Sequence, residues 1–230
     1  LAQLQRNLDF RYAHKGSTLL PSKLTATELK YLNERDAESA ELLAGGGRRF
    51  RSFRTGGAAE RLNAVEKGVA THLVFQHIDY MAAVDLDSVR MEIARLEAKG
   101  ILRPEQAKGV DARQVAGFFA SPAGELMRSG DRVLREFKFS LLCPASDYFS
   151  GGGEDEVLLQ GVVDCALLEP DGITVVDFKT DYVTEGTLSA VTERYRPQVE
   201  AYADALKRIF GQPIKAKALY YFHIGGFCWL

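Results

Sequence analysis

Gly161-Val-Val-Asp164 and, after a turn, Val175-Val176-Asp177-Phe178-Lys179 are the two stretches on which the fold is decided. Glu156 to Leu168 and Ile173 to Phe178 are β-rich runs, and Glu169-Pro170-Asp171-Gly172 between them carries a Pro-Asp-Gly turn signal. A hairpin is predicted. Side chains alternate along a strand, so Asp177 and Lys179 share one face while Phe178 enters the other. Asp164, on the paired strand, can project to the same side as Asp177. Two converging carboxylates repel unless one takes a proton or a cation sits between them, and oxygen ligands of this kind suit Mg²⁺ or Mn²⁺. A neighbouring lysine can polarise a water or neutralise a phosphate. These are the parts that a phosphodiester hydrolase requires.

Upstream, Val133, Arg135-Glu136-Phe137-Lys138-Phe139 and Leu141 alternate as a half-buried strand. Before it the chain reads as helix. Leu62, Val65, Val69, Leu73, Phe75 and Ile78 recur at helical spacing and predict a long, buried helix over 59–81. Further helices are predicted from Asp87 to Lys99, stopped by Gly100, from Asp111 to Phe119, and from Pro122 to Ser129. Thr25 and Glu28 have capping-box spacing and start a helix within 22–44. A Gly45-Gly46-Gly47 hinge follows, then the basic stretch Arg48-Arg49-Phe50-Arg51-Ser52-Phe53-Arg54. Arg48, Arg49, Arg51 and Arg54 are candidate phosphate contacts on an otherwise near-neutral chain. Downstream, a helix is predicted to begin near Pro197 and end at Gly211, followed by strands over 218–223 and 226–230.

The sum is an α/β domain whose N-terminal half is a helical layer and whose C-terminal half is a strand, a hairpin, a helix and a return to the sheet. Residues 1–58 are a lead-in belonging to the same domain as the core over 59–230. The chain has 230 residues, 46% of them hydrophobic, enough for an ordinary core. Lys and Arg number 29 against 31 Asp and Glu, so there is no global pull toward nucleic acid or an anionic membrane. Cys143, Cys165 and Cys228 are odd in number and far apart, which fits free thiols in a reducing compartment. No run reaches the roughly 18 to 20 apolar residues of a membrane span, and a cytoplasmic protein is expected. The first residue is Leu, which points to a piece of a longer polypeptide.

Each chemical motif has an ordinary structural reading when it stands alone. Asp-x-Lys is common, a lone histidine often belongs to a core, and a Gln–Tyr pair four apart often lies on a helix surface. Their order is more telling: Gly68-x-x-x-His72, Glu136 on a strand, Gly161-x-x-Asp164, Asp177-x-Lys179, then Gln198-x-x-x-Tyr202. This succession resembles the RecB-like branch of the PD-(D/E)xK nuclease superfamily over roughly residues 60 to 230. The lead-in Leu20-Pro-Ser-Lys-Leu-Thr-Ala-Thr-Glu-Leu-Lys30 and Gln76-His77 are most similar to the C-terminal nuclease domains of AddA-type helicase–nucleases.

The resemblance implies a restriction-endonuclease-like core, a mixed central sheet flanked by helices, and a DNA exonuclease, dependent on Mg²⁺ with Mn²⁺ as a substitute. It implies that His72, Asp164, Asp177 and the main-chain carbonyl of Phe178 bind the metal and that Lys179 is the catalytic lysine. Glu136 would assist the metal through water, and Gln198 and Tyr202 would position the lysine or the DNA backbone. The implied partners are single-stranded DNA, a helicase region outside this chain, and an AddB-like subunit; the implied process is repair of double-strand breaks. Relatives with an iron–sulfur cluster use four cysteines, so no cluster is expected here. There is no Gly-x-x-x-x-Gly-Lys-Ser/Thr loop, so no ATP site is expected. Two other readings stay open: a DNA-binding module that is inert without its helicase and partner, and a phosphoesterase acting on small nucleotides.

Overall fold

The computed structural model describes residues 16–35, 62–129 and 132–230. The glycine hinge and the basic stretch Arg48 to Arg54 lie outside the described residues. In chain order the elements are β1 (Lys23–Thr25), α1 (Ala26–Arg35), α2 (Ala64–His77), α3 (Leu86–Ala98), α4 (Pro104–Gly109), α5 (Ala112–Phe119), α6 (Pro122–Ser129), β2 (Arg132–Pro144), β3 (Glu156–Glu169), β4 (Gly172–Lys179), α7 (Glu185–Phe210), β5 (Ile214–Tyr221) and β6 (Gly226–Trp229). Short 3₁₀ turns cover Ser17–Leu19 and Ala145–Asp147.

The sheet runs β1-β3-β4-β5-β6, with β2 on the other edge of β3. One face of it packs on α7 and α1, through Ile173, Val175 and Leu159 against Tyr195, Val199, Tyr202, Leu206 and Leu29. The other carries Val176, Phe178 and Tyr220 against Val74, Phe75, Phe118 and Phe119 of the layer formed by α2 to α6. A mixed sheet between two helical layers is therefore the fold, as the resemblance to the nuclease core implies. Asp177 and Lys179 have the parity of Ile173 and Val175, so they turn toward α7.

β3 organises the site. Along one edge it pairs antiparallel with β2 from Pro144↔Glu156 to Arg132↔Leu168. The other edge is shared: β1 runs parallel to Leu158–Gln160, and β4 pairs antiparallel with Cys165–Glu169. Residues 161–164 between them have no ladder partner on that edge among the described residues. The Gly161-x-x-Asp164 motif thus spans a fork where the sheet opens.

At the same level both long strands change face. Val157, Leu159 and Val163 turn toward α7, but so do Ala166 and Leu168, while Cys165 and Leu167 turn away. β2 switches likewise, with Phe137 and Phe139 on the α7 side together with Leu134, and Val133 opposite. The switch falls at Glu136 and Asp164, the one pair missing from an otherwise unbroken β2–β3 register. Glu136 has φ +48°, a conformation that L residues rarely adopt. The two acidic side chains are thereby lifted out of the pleat.

Several boundaries differ from the sequence reading. The helix expected from Pro197 starts at Glu185, capped by the Thr187 hydroxyl, which accepts from the Thr184 N–H at 3.0 Å. Proline lacks an N–H and leaves the Glu193 carbonyl without its helical donor. The helix continues regardless, because Val191 and Tyr195 before the proline and Val199, Tyr202 and Leu206 after it pack into one core. It does end at Gly211, at φ +66°. The helix expected over 59–81 spans Ala64–His77 and is amphipathic rather than buried all round: Val65 and Val69 are 76% and 52% exposed. The Thr25–Glu28 capping box is present, with Glu28 Oε2 accepting from the Thr25 N–H at 2.8 Å and Thr25 Oγ1 from the Glu28 N–H at 3.3 Å, but Thr25 itself ends β1. The short α4 has no counterpart in the sequence reading, and β5 begins at Ile214, ahead of the predicted 218.

Gly161 lies opposite Phe139. A β-carbon there would come within 2.6 and 2.7 Å of the Phe139 ring and 3.0 Å of the Tyr202 ring. Both rings are buried, so overpacking costs about 1–3 kcal/mol. Gly161→Ala is expected to lower stability by that amount in urea unfolding; an unchanged midpoint would show that the rings swing clear.

Candidate active site

Beyond the Cys165↔Val176 pair, β4 leaves β3 and continues only against β5. Asp164 bridges the opening, its Oδ2 accepting from the Phe178 N–H at 2.7 Å. The N–H and C=O of a strand residue project to the same edge, so the Phe178 carbonyl also faces the fork. From the α2 layer His72 comes down on the same spot, with Nδ1 3.4 Å from Asp164 Oδ1 and 3.4 Å from Glu136 Oε1. The ligand-type atoms of His72, Glu136 and Asp164 all lie within 4.8 Å of one another.

Asp177 and Lys179 form a second, more buried group. Lys179 Nζ is 2.6 Å from Asp177 Oδ2 and donates to Gln198 Oε1 at 3.2 Å; Gln198 Nε2 in turn donates to the Tyr202 hydroxyl at 2.7 Å. Asp177 is 1% exposed and Lys179 8%. Asp177 Oδ2 has no well-directed hydrogen bond, for the short ammonium contact lies off the hydrogen-bond direction. All eight residues expected at the site from the motifs are thus described, in two adjoining clusters. The four arginines of the basic stretch are not among the described residues.

The electrostatics follow from this crowding. Burial opposes the charged imidazole of His72, but Asp164 and Glu136 outweigh it together and raise its pKa from 6.5 to about 10. Burial also pushes the Asp177 carboxyl well above the usual carboxylate range; Lys179 opposes that rise and Asp164 adds to it. Asp164 titrates low despite burial, because His72 and Lys179 face it and Phe178 donates to it.

A family model described as the PD-(D/E)XK nuclease superfamily matches residues 37–226. The chain belongs to that superfamily. Curated relatives, each named as the A subunit of an ATP-dependent helicase/nuclease, agree with the assignment. The one from Alkaliphilus oremlandii is 33% identical over 228 residues, 96% of this chain and 19% of that protein. Its namesake from Pelotomaculum thermopropionicum is 37% identical over 233 residues, 96% of this chain and 18% of its own length. That from Acetivibrio thermocellus is 39% identical over 170 residues, 71% and 13% respectively. The chain spans less than a fifth of the length of these relatives.

Within this superfamily domain, two positions are explained only by the three-dimensional arrangement. Gly68 sits one helical turn before His72, and a β-carbon on it would lie 2.8 Å from Thr180 Oγ1, just past the Asp-x-Lys strand. The missing side chain lets α2 approach the end of β4 and brings His72 over the fork. Tyr195 belongs to no motif in the sequence. Its ring lies under Lys179 Nζ, 3.9 Å from the centroid, and its hydroxyl donates to both carboxylate oxygens of Asp181 at 3.1 and 3.2 Å. A signal for it exists: position 195 lies three residues before Gln198 and seven before Tyr202, on one helix face, but a helix starting at Pro197 excludes it.

The raised His72 pKa gives a pH dependence in metal-free protein. The folded value exceeds the unfolded one, so the stabilisation is fully present below about pH 6.5 and is lost as pH rises toward 10. In EDTA, the stability difference between wild type and His72→Gln is expected to shrink from pH 6.5 to 9. A difference that grows with pH would mean that the imidazole is neutral in the folded state.

Proposed function

We infer that this chain is the metal-dependent deoxyribonuclease domain of an AddA-type helicase–nuclease. It cuts single strands delivered by a helicase region outside this chain, beside an AddB-like partner subunit, in the cytoplasmic processing of double-strand breaks for recombinational repair. The observation that carries the reading is the cluster of His72, Glu136 and Asp164 at the open fork of the sheet, with the Asp177–Lys179 pair adjoining it. The helicase and the DNA substrate are suggested by the name of the relatives, which are ATP-dependent helicase/nuclease subunits.

The donor set fits a divalent cation. At the fork the ligand-type atoms of His72, Glu136 and Asp164 lie within 4.8 Å of one another, the Phe178 carbonyl faces them, and Asp177 adjoins Asp164. His72, Asp164, Asp177 and the Phe178 carbonyl would hold the ion, Mg²⁺ or Mn²⁺, with Glu136 acting through a water. When bound, the ion supplies charge that activates water and stabilises the phosphoryl oxygens as negative charge develops. Lys179, paired with Asp177, would orient the attacking water or neutralise the phosphate. Gln198, backed by Tyr202, and the ring of Tyr195 hold the lysine in place. Burial of the ammonium strengthens its pull on a developing oxyanion.

The test is cleavage of end-labelled single-stranded DNA with Mg²⁺ or Mn²⁺. Cutting is expected with metal and none with EDTA. Cleavage that persists in EDTA, or in folded Asp177→Ala protein at the wild-type rate, would overturn the reading.

A further inference from the structure

The solvent face of α2 is not the polar face that a solvated helix shows. Val65, Val69 and Leu73 recur every four residues and form one stripe. The first two are largely exposed, at 76% and 52%. This stripe is one wall of a groove of about 470 Å³, whose lining also includes Gly68, Gln76 and Thr180, and which ends on His72 and Glu136. The groove is therefore continuous with the cluster at the fork.

We propose that this groove is a nucleobase site, taking the base of a nucleotide next to the phosphate held at the His72–Asp164 cluster. The proposal rests on the nuclease reading for the position of that phosphate. Three features select the occupant. The groove shares His72 and Glu136 with the cluster, so whatever fills it is attached to, or adjoins, the group bound there. Its volume lies within the range of small-molecule sites and accommodates a base. Its wall is aliphatic, with Gln76 and the Thr180 hydroxyl as uncharged polar groups, which suits a flat, partly polar ring rather than a second phosphate. The base is gripped by burial of apolar surface rather than read by a fixed hydrogen-bond code, so any of the four fits.

The experiment measures binding separately from cleavage. Labelled single-stranded oligonucleotides, each carrying one abasic nucleotide at a successive position, are titrated with the protein by fluorescence anisotropy, with Ca²⁺ replacing Mg²⁺. Wild type is expected to bind the complete strand about tenfold more tightly than the strand abasic at one particular position. Val65→Asn/Val69→Asn, whose exposed positions leave the core intact, is expected to reduce that ratio to within twofold, with Mn²⁺ binding by calorimetry unchanged. Equal binding of every strand by wild type, or a ratio retained in the double variant, overturns the base site and leaves the stripe as a contact face for protein. Cleavage of the same strands with Mn²⁺ tests the other reading. Discrimination without any cutting supports the base site and sinks the nuclease, whereas cutting without discrimination does the reverse.

Discussion

Lys179→Met is expected to reduce strand cleavage by about three orders of magnitude and to destabilise the fold as well, and the two losses have different cures. The ammonium lies 2.6 Å from Asp177 Oδ2, in a site where the carboxylate is 1% exposed. Removing one partner of a buried pair costs about 3–5 kcal/mol when the other stays charged. Asp177 has an escape. Burial already holds its carboxyl well above the usual range, and Lys179 is the group that opposes this rise, so the variant carboxyl protonates more readily.

The sign of the pH effect follows. A carboxyl whose folded pKa exceeds its unfolded one binds more protons in the folded state, and stability then falls as pH rises through that window. Lys179→Met protein should therefore lose stability from pH 5 to 8 more steeply than wild type. Lys179→Met/Asp177→Asn removes the orphaned charge, and urea unfolding should find most of the lost stability restored at pH 8. Cleavage should not return, since both the ammonium and the Asp177 carboxylate are gone. A double variant no more stable than the single one would show that the ion pair is not what holds this end of β4.

Much of this arrangement was legible in the chain because strands report their faces by alternation. Val175 to Lys179 alternates cleanly, so Asp177 and Lys179 could be placed on one face and Phe178 on the other without coordinates. The Pro170-Asp171-Gly172 turn fixed the hairpin and with it the neighbourhood of Asp164. What alternation could not reveal is where it fails. The change of face at Glu136 and Asp164 arises from a φ of +48° at Glu136, and nothing in Arg135-Glu136-Phe137 distinguishes that residue from a strand glutamate. The sharing of one β3 edge by β1 and β4 is a long-range pairing, 23–25 with 158–160, invisible to any local pattern. Pro197 misleads for a physical reason too: a proline is a good first helical residue, and only packing on both sides of it shows that it lies in the middle. The exposure of Val65 and Val69 escapes because helical spacing shows that residues share a face and not whether that face is covered.

Asp164→Asn should abolish Mn²⁺ binding in calorimetry, reduce cleavage to background and lower the stability of metal-free protein at neutral pH, because the pairing that raises the His72 pKa is lost. The side-chain oxygen of asparagine can still accept from the Phe178 N–H, the 2.7 Å bond that ties β3 to β4 where their ladder ends. The charge facing His72 is lost. Asp164→Ala removes that acceptor as well and leaves the Phe178 N–H without a partner in a part-buried position, at a further cost of about 1–3 kcal/mol. The two variants should therefore be equally inactive and unequally stable. Both free His72 from its stronger acid, so its imidazole pKa should fall from about 10 toward 6.5, held up only by Glu136, and an NMR titration of that ring would report it. The fork explains why one side chain carries so much. With residues 161–164 unpaired on that edge among the described residues, Asp164 is at once the bridge between two strands and the counter-charge of the histidine. Mn²⁺ binding that survives Asp164→Asn would move the ion away from the fork and onto Asp177 and Lys179's end of the site.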